Sequence, residues 1–152
     1  MLTGKQAEDK FYELMAVQSQ DIRRATQEEN IQGQFDLVCD GVRYDVKAEK
    51  KYHRKDKYPD NSTVWIEIRN VNGDRGWIKG EADKIAFLKG DTFNIVDRKN
   101  LFILVQDKVR DLTIYDIKQY CKLYRRTGRK DVVTYLSFRN IEHLIEKTIK
   151  IR

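Results

Sequence analysis

Asp36, Asp45 and Lys47 lie on either side of an Asp40-Gly41 pair, and Asp-Gly between two alternating runs is a strong signal for a two-residue β-hairpin turn. Such a turn fixes the register: Cys39 faces Val42, Val38 faces Arg43, Leu37 faces Tyr44, Asp36 faces Asp45 and Phe35 faces Val46. Phe35, Leu37, Cys39, Val42, Tyr44 and Val46 then share one face, and Gln34, Asp36, Val38, Arg43, Asp45 and Lys47 the other. Carboxylates directly opposed across a ladder, with Cβ atoms about 4.5–5.5 Å apart, repel each other unless a cation compensates them. With a third acidic group reachable from a preceding helix, they make an all-oxygen donor set of the kind Mg²⁺ prefers. A carboxylate-bound Mg²⁺ beside a lysine suits phosphodiester hydrolysis, because the metal acidifies and orients water and offsets the charge that builds on phosphate. Lys47 would then hold the water or the phosphate. His53 and His143 have no partners at zinc-like spacing, so a zinc site is not expected.

The elements that must position these residues follow from periodicity. Ala7, Phe11, Leu14 and Met15 recur at helical spacing behind Thr3, so 3–16 reads as an opening amphipathic helix whose polar face carries Glu8 and Glu13. Beyond the hairpin, 48–61 is polar and carries Lys50, Lys51, Arg54, Lys55 and Lys57 with Tyr52 and Tyr58 between them, an exposed basic loop. The alternation of 64–68 predicts a third strand. Ala82, Ile85, Ala86 and Leu88 predict a short helix over 81–88, stopped by Gly90. Strands are expected at 92–96, 101–105 and 132–136. A helix is expected over 108–126, with Leu112, Ile114, Tyr115, Ile117 and Tyr120, and a last one is expected from 140 with Asn140 as its cap.

The chain has 152 residues, 40% of them hydrophobic, with eight Gly and one Pro, which predicts one globular domain spanning 1–152. The net charge of +6 sits among 36% charged residues, a bias in a mixed surface that makes a polyanion partner plausible. Cys39 and Cys121 form no CxxC pair and no secretory leader precedes them, so reduced thiols in a cytoplasm are expected. No run approaches the roughly 18 to 20 apolar residues that cross a bilayer, so no membrane partner is expected. The 50–57 loop could contact phosphates and stack on unpaired bases, or be a plain basic loop. Arg125, Arg126, Arg129 and Lys130 could likewise track a nucleic-acid backbone, though cations also suit a helix C-terminus. Trp65 and Trp77 read as core or rim packing.

Gly33-Gln34-Phe35-Asp36, the turn, and Asp45-Val46-Lys47 resemble the PD-(D/E)XK nuclease superfamily, whose motif is an acidic residue, a short hairpin and then Asp or Glu-x-Lys. Phe35 stands where the motif has Pro. Gly4-x-x-Ala7-Glu8 followed by Phe11 looks like the first helix of archaeal Holliday-junction resolvases and related phage enzymes, where a helical Glu joins the metal site. The resemblance thus places Glu8, ahead of Glu13, with Asp36, Asp45 and the backbone carbonyl of Val46 on the metal, and makes Glu8, Asp36, Asp45 and Lys47 the catalytic set. Glu67 and the Gly76-Trp77-Ile78 and Asp83-Lys84 segments are similar to features of phage members, Glu67 as a site neighbour. The implied fold is an α/β restriction-endonuclease-like core, a central mixed sheet flanked by helices in αβββαβ order, here with C-terminal helical additions. The implied activity is a Mg²⁺-dependent endonuclease on DNA, linear, branched or single-stranded, with Mn²⁺ able to substitute and products carrying a 5′ phosphate. Many members act as homodimers, and the resemblance points to a bacterial or phage-infected cell. The alternative is a nucleic-acid-binding module that keeps the fold without the catalysis.

Overall fold

The computed structural model describes the backbone of all 152 residues and the side chains of all but 110–113. Two compact units form: unit 1 comprises Met1–Asn61, Glu81–Arg98 and Ile145–Arg152, and unit 2 comprises Ser62–Gly80 and Lys99–Leu144. Both combine helix with sheet, which makes the chain α/β.

Unit 1 begins with helix α1 (Gly4–Gln18), capped by Thr3: its hydroxyl accepts from the Gln6 N–H while the Gln6 side chain accepts from the Thr3 N–H. Ala7, Phe11 and Met15, four residues apart, are its buried stripe. Strands β1 (Ile22–Arg24), β2 (Leu37–Cys39) and β3 (Val42–Lys47) follow; β4 (Thr63–Arg69) belongs to unit 2; β5 (Lys84–Lys89), β6 (Thr92–Asp97) and β10 (Ile145–Lys150) complete a six-stranded mixed sheet. Its order is β1-β2-β3-β5-β6-β10, with β3 and β5 parallel and all other neighbours antiparallel. The turn expected at Asp40-Gly41 forms, both residues taking positive φ (48° and 82°), as a turn matching the strand twist requires. The register expected for Leu37, Val38 and Cys39 against Tyr44, Arg43 and Val42 also forms. Leu37, Cys39 and Val46 pack with Ala86, Leu88, Phe93 and Ile95 against the α1 stripe, and the Phe11 ring sits edge-on to Phe93 with centroids 5.0 Å apart.

Unit 2 holds β4, a 3₁₀ turn (Trp77–Lys79), most of helix α2 (Arg98–Lys108), strands β7 (Arg110–Tyr115), β8 (Lys122–Arg125) and β9 (Val132–Ser137), and one helical turn, α3 (Phe138–Ile141). Its four-stranded sheet runs β4-β9-β8-β7, with β7 and β8 parallel. Gly76 has no room for a side chain, since an added Cβ would lie 2.1 Å from the Glu67 carbonyl oxygen. Gly76→Ala is therefore expected to push β4 out of place and to lower stability by about 1–3 kcal/mol or more, read as a fall in the urea midpoint. Among the described residues, no helix is long and apolar enough to cross a membrane.

Several elements differ from expectation. Residues 84–89 are strand β5, not a helix, because Ile85 to Leu88 are all buried in a strand paired on both sides, where no alternation survives. Residues 101–105 lie in α2 and not in a strand: Leu101 and Val105 are buried while Ile103 is 63% exposed, a four-residue rhythm. The helix expected over 108–126 is replaced by β7 and β8; Leu112, assigned to that helix, lies outside the described side chains. The last helix shrinks to α3 and a 3₁₀ turn, in which the Ser137 N–H donates to Asn140 Oδ1 at 3.1 Å, and 145–150 pair with β6 as β10. The expected C-terminal helical additions are therefore mostly strands. The strand expected at 64–68 forms as β4 but joins the sheet of unit 2.

Candidate active site

Asp36 stands one residue before β2 and Asp45 in the middle of β3, so the hairpin brings them together. The regular ladder stops at Leu37–Tyr44, and beyond it the pairing is not the expected one. The Asp36 N–H donates to the Tyr44 carbonyl at 2.8 Å, while Asp36 Oδ2 accepts the Val46 N–H at 2.7 Å and Oδ1 accepts from Asn30 Nδ2 at 2.9 Å. The carboxylate of Asp36 thus takes the place of a backbone acceptor across from Val46. This irregularity also turns Phe35 away from the face assigned to it. Its ring packs on Gly33, where an added Cβ would lie 2.7 Å from Cε1, and 5.9 Å from the Arg43 guanidinium, rather than in the α1 cluster.

Asp45 is 4% exposed. Lys47, two residues on and on the same face of β3, places Nζ 3.0 Å from Asp45 Oδ2; this is an ion pair without hydrogen-bond alignment, since that buried oxygen accepts no well-formed hydrogen bond. Burial raises the Asp45 pKa, Lys47 lowers it and the Asp36 carboxylate raises it again, leaving it pushed up to about 7. The site therefore holds a carboxylate whose charge is poorly compensated.

Of the two helical acids, Glu8 is the one beside this pair. Its pKa is raised, first by burial and then by the charge of Asp36, against the pull of Lys5 and Arg24. Lys5 Nζ and Arg24 Nη1 lie 3.7 and 3.6 Å from Glu8 Oε1. Glu13 instead points outward, its side chain 67% exposed and paired with Lys10. Glu8, Asp36, Asp45 and Lys47 all belong to unit 1, as does the loop bearing Lys50, Lys51, Arg54, Lys55 and Lys57. Glu67, Arg125, Arg126, Arg129 and Lys130 belong to unit 2.

Three residues with no role legible from spacing support the site. Asn30 donates to both the Phe35 carbonyl and Asp36 Oδ1, and Arg24 faces Glu8 and Asp9. Asp83 binds the backbone N–H of Arg43 at 2.9 Å and its guanidinium at 3.2–3.3 Å, which anchors the start of β3 next to β5. Asp83 thus has a structural role that spacing alone does not reveal.

Comparison of the chain with protein-family models, curated proteins and solved structures finds no match. What the site can do follows from its own residues. Among the described residues, no group of three or more His, Cys, Asp or Glu is arranged to hold a metal ion, in keeping with Glu8 drawn to two cations and Asp36 occupied by Val46 and Asn30. The donor types nevertheless suit a hard cation: two carboxylates side by side, one of them buried, with Glu8 electrostatically coupled to Asp36. Removing Asp36 tests its backbone role. Asp36→Ala leaves the Val46 N–H without its acceptor and is expected to lower the stability of the metal-free protein by about 1–3 kcal/mol, outweighing the relieved repulsion; an unchanged urea midpoint in EDTA would contradict that geometry.

Proposed function

We propose that this chain is a Mg²⁺-dependent endonuclease of the PD-(D/E)XK type that hydrolyses phosphodiester bonds in DNA. The observation that carries the reading is the β2–β3 hairpin, which sets Asp36 against the buried Asp45 with Lys47 3.0 Å from the latter. Support comes also from α1, whose Glu8 is the helical acid coupled to Asp36, and from the α1-β1-β2-β3 order of unit 1, followed by β5 parallel to β3. That order is in keeping with the αβββ opening expected of such a core; the β3–β5 crossover runs through residues 48–83 instead of a helix. Asp36, Asp45, Glu8 and the carbonyl of Val46 would hold the ion, with Glu8 turning from Arg24. When bound, Mg²⁺ supplies an acidified, oriented water and offsets charge on the phosphate. Lys47 positions that water or a phosphate oxygen, and Asp45, relieved of its repulsion with Asp36, stays ionised.

A second reading is a nucleic-acid-binding module of the same fold without catalysis. It is favoured by the engagement of Glu8 with Lys5 and Arg24 and by the lack of a three-ligand metal group among the described residues. Incubating the protein with supercoiled plasmid, a four-way junction and single-stranded DNA, in Mg²⁺, Mn²⁺ or EDTA, separates the two. Metal-dependent cutting of any substrate supports the endonuclease. Binding with no cutting under every condition assigns the chain to the module.

A further inference from the structure

The net charge of the chain is unevenly placed. Unit 1 carries 17 Lys and Arg against 17 Asp and Glu, while unit 2 carries 13 against 7, so the whole excess of +6 falls in unit 2. Charge alone says little about a partner, but the sheet of unit 2 adds chemistry to it. On one face, Val64, Ile66, Thr134 and Leu136 are buried. On the other, Trp65 is opposite Tyr135 and Tyr124 is opposite Val133, so strand alternation puts three aromatic rings side by side. Trp65 and Tyr124 both stand edge-on to Tyr135, with centroids 4.8 and 5.7 Å away, and both are only part-buried while Tyr135 is fully covered.

Cations accompany the rings. Lys118 Nζ sits 4.8 Å from the centre of the Trp65 ring and 5.9 Å from that of Tyr135. Lys122, two residues before Tyr124 within β8, falls on its side of the sheet by the same alternation. Rings with an accessible surface, flanked by Lys118 and Lys122, match the two things a single strand offers and a duplex does not offer together: unstacked base faces and a phosphate backbone. An acidic protein partner would meet the cations but would leave the rings without a stacking role.

We propose that the Trp65–Tyr124 face of unit 2 binds single-stranded nucleic acid, with unpaired bases stacking on Trp65 and Tyr124 and phosphates meeting Lys118 and Lys122. This does not rest on cleavage by unit 1, since the binding requires neither metal nor Lys47.

The test uses the full chain in EDTA with three labelled probes about 20 nucleotides long, beyond the site sizes common for single-strand binders: an oligo-dT strand, an abasic strand of equal charge, and a duplex. Base stacking predicts that oligo-dT binds roughly 5- to 150-fold more tightly than the abasic strand, the range expected for one stacked base, and more tightly than the duplex. Binding should also quench the fluorescence of Trp65, which Trp65→Phe removes while retaining most of the affinity. Trp65→Ala, with its fold checked by circular dichroism, should bring oligo-dT down towards the abasic strand. Changing Lys118 and Lys122 together to Ala should reduce the slope of log affinity against log salt by about 1.4, an effect that loss of packing alone does not produce. Equal affinity for oligo-dT and abasic strands, preference for the duplex, or no binding would each overturn the proposal. If Trp65→Ala fails to fold, the wild-type comparison can still overturn the proposal, and quenching that Trp65→Phe removes assigns the binding to this face.

Discussion

Lys47→Ala is expected to lower Mg²⁺-dependent DNA cleavage by roughly 10²–10⁴-fold, the range associated with one positioned proton-handling group, while changing DNA affinity little at moderate salt. Affinity for nucleic acid is the sum of many Lys and Arg contacts with phosphate, and removing one of 30 such side chains leaves most of that sum in place. Catalysis is different, because Nζ of Lys47 lies 3.0 Å from the buried Asp45 carboxylate and cannot be replaced by a lysine elsewhere. Asp45→Asn should produce a loss of the same order by weakening metal binding, and excess Mn²⁺ should recover part of it. Single-turnover cleavage of plasmid, with binding measured separately in Ca²⁺ or EDTA, distinguishes these outcomes. If both variants lose binding and cleavage in parallel with their fold intact, the division between a metal site and a phosphate-binding surface is wrong. If the wild-type protein itself does not cut, the binding module is the better account.

The hairpin was legible in the sequence because its information is local. Asp40-Gly41 dictates a turn with two positive φ angles, and a two-residue loop leaves one register for Leu37, Val38 and Cys39. α1 was legible for the same kind of reason, from its cap and its four-residue stripe. Where partners decide the structure, the sequence was ambiguous. Ile85 to Leu88 are consecutive apolar residues, and only the neighbours β3 and β6 on either side make them a strand. Leu101 to Val105 has the composition of a strand, yet it forms α2 because only Leu101 and Val105 of that run are buried. Ile145 and Ile149 fit a helical rhythm equally well until β6 supplies the ladder that makes them part of β10.

The site was readable to the extent that it depends on the hairpin. Asp36, Asp45 and Lys47 come together through the turn, whereas the choice of Glu8 over Glu13 rests on the family resemblance of the Ala7-Glu8 context; in the fold Glu8 is coupled to Asp36 and Glu13 pairs with Lys10. What could not be read is the departure at Asp36, where a side chain replaces a ladder acceptor and Phe35 changes sides. No rule of alternation predicts that, because Asn30, six residues earlier, supplies the hydrogen bonds that hold it. The role of Asp83 is hidden for a related reason: its partner Arg43 lies 40 residues away in sequence, and only the parallel β3–β5 pairing brings them together.

The buried Asp45 leads to the other large expected effect, which requires no substrate. Its folded pKa of about 7 lies above the ordinary value of 3.8, so the folded state holds this proton more tightly than the unfolded chain does. The associated stability is therefore fully present below pH 4 and is lost as pH rises through 7, reaching a cost of about 4 kcal/mol above that. This runs against the usual acid denaturation, in which paired carboxylates favour higher pH. In EDTA, Asp45→Asn should be more stable than wild type at pH 8 and similar to it near pH 4, because an amide has no charge to bury and no repulsion with Asp36. Other groups titrate in both proteins, including Glu8, whose raised pKa has the same sign, so the difference between the two urea-midpoint curves isolates Asp45. Parallel curves from pH 4 to 8 would show that Asp45 is not a strained carboxylate. Convergence at pH 8 on adding Mg²⁺, through stabilisation of wild type alone, would place the cation on this residue, since a ligand stabilises only the form that binds it.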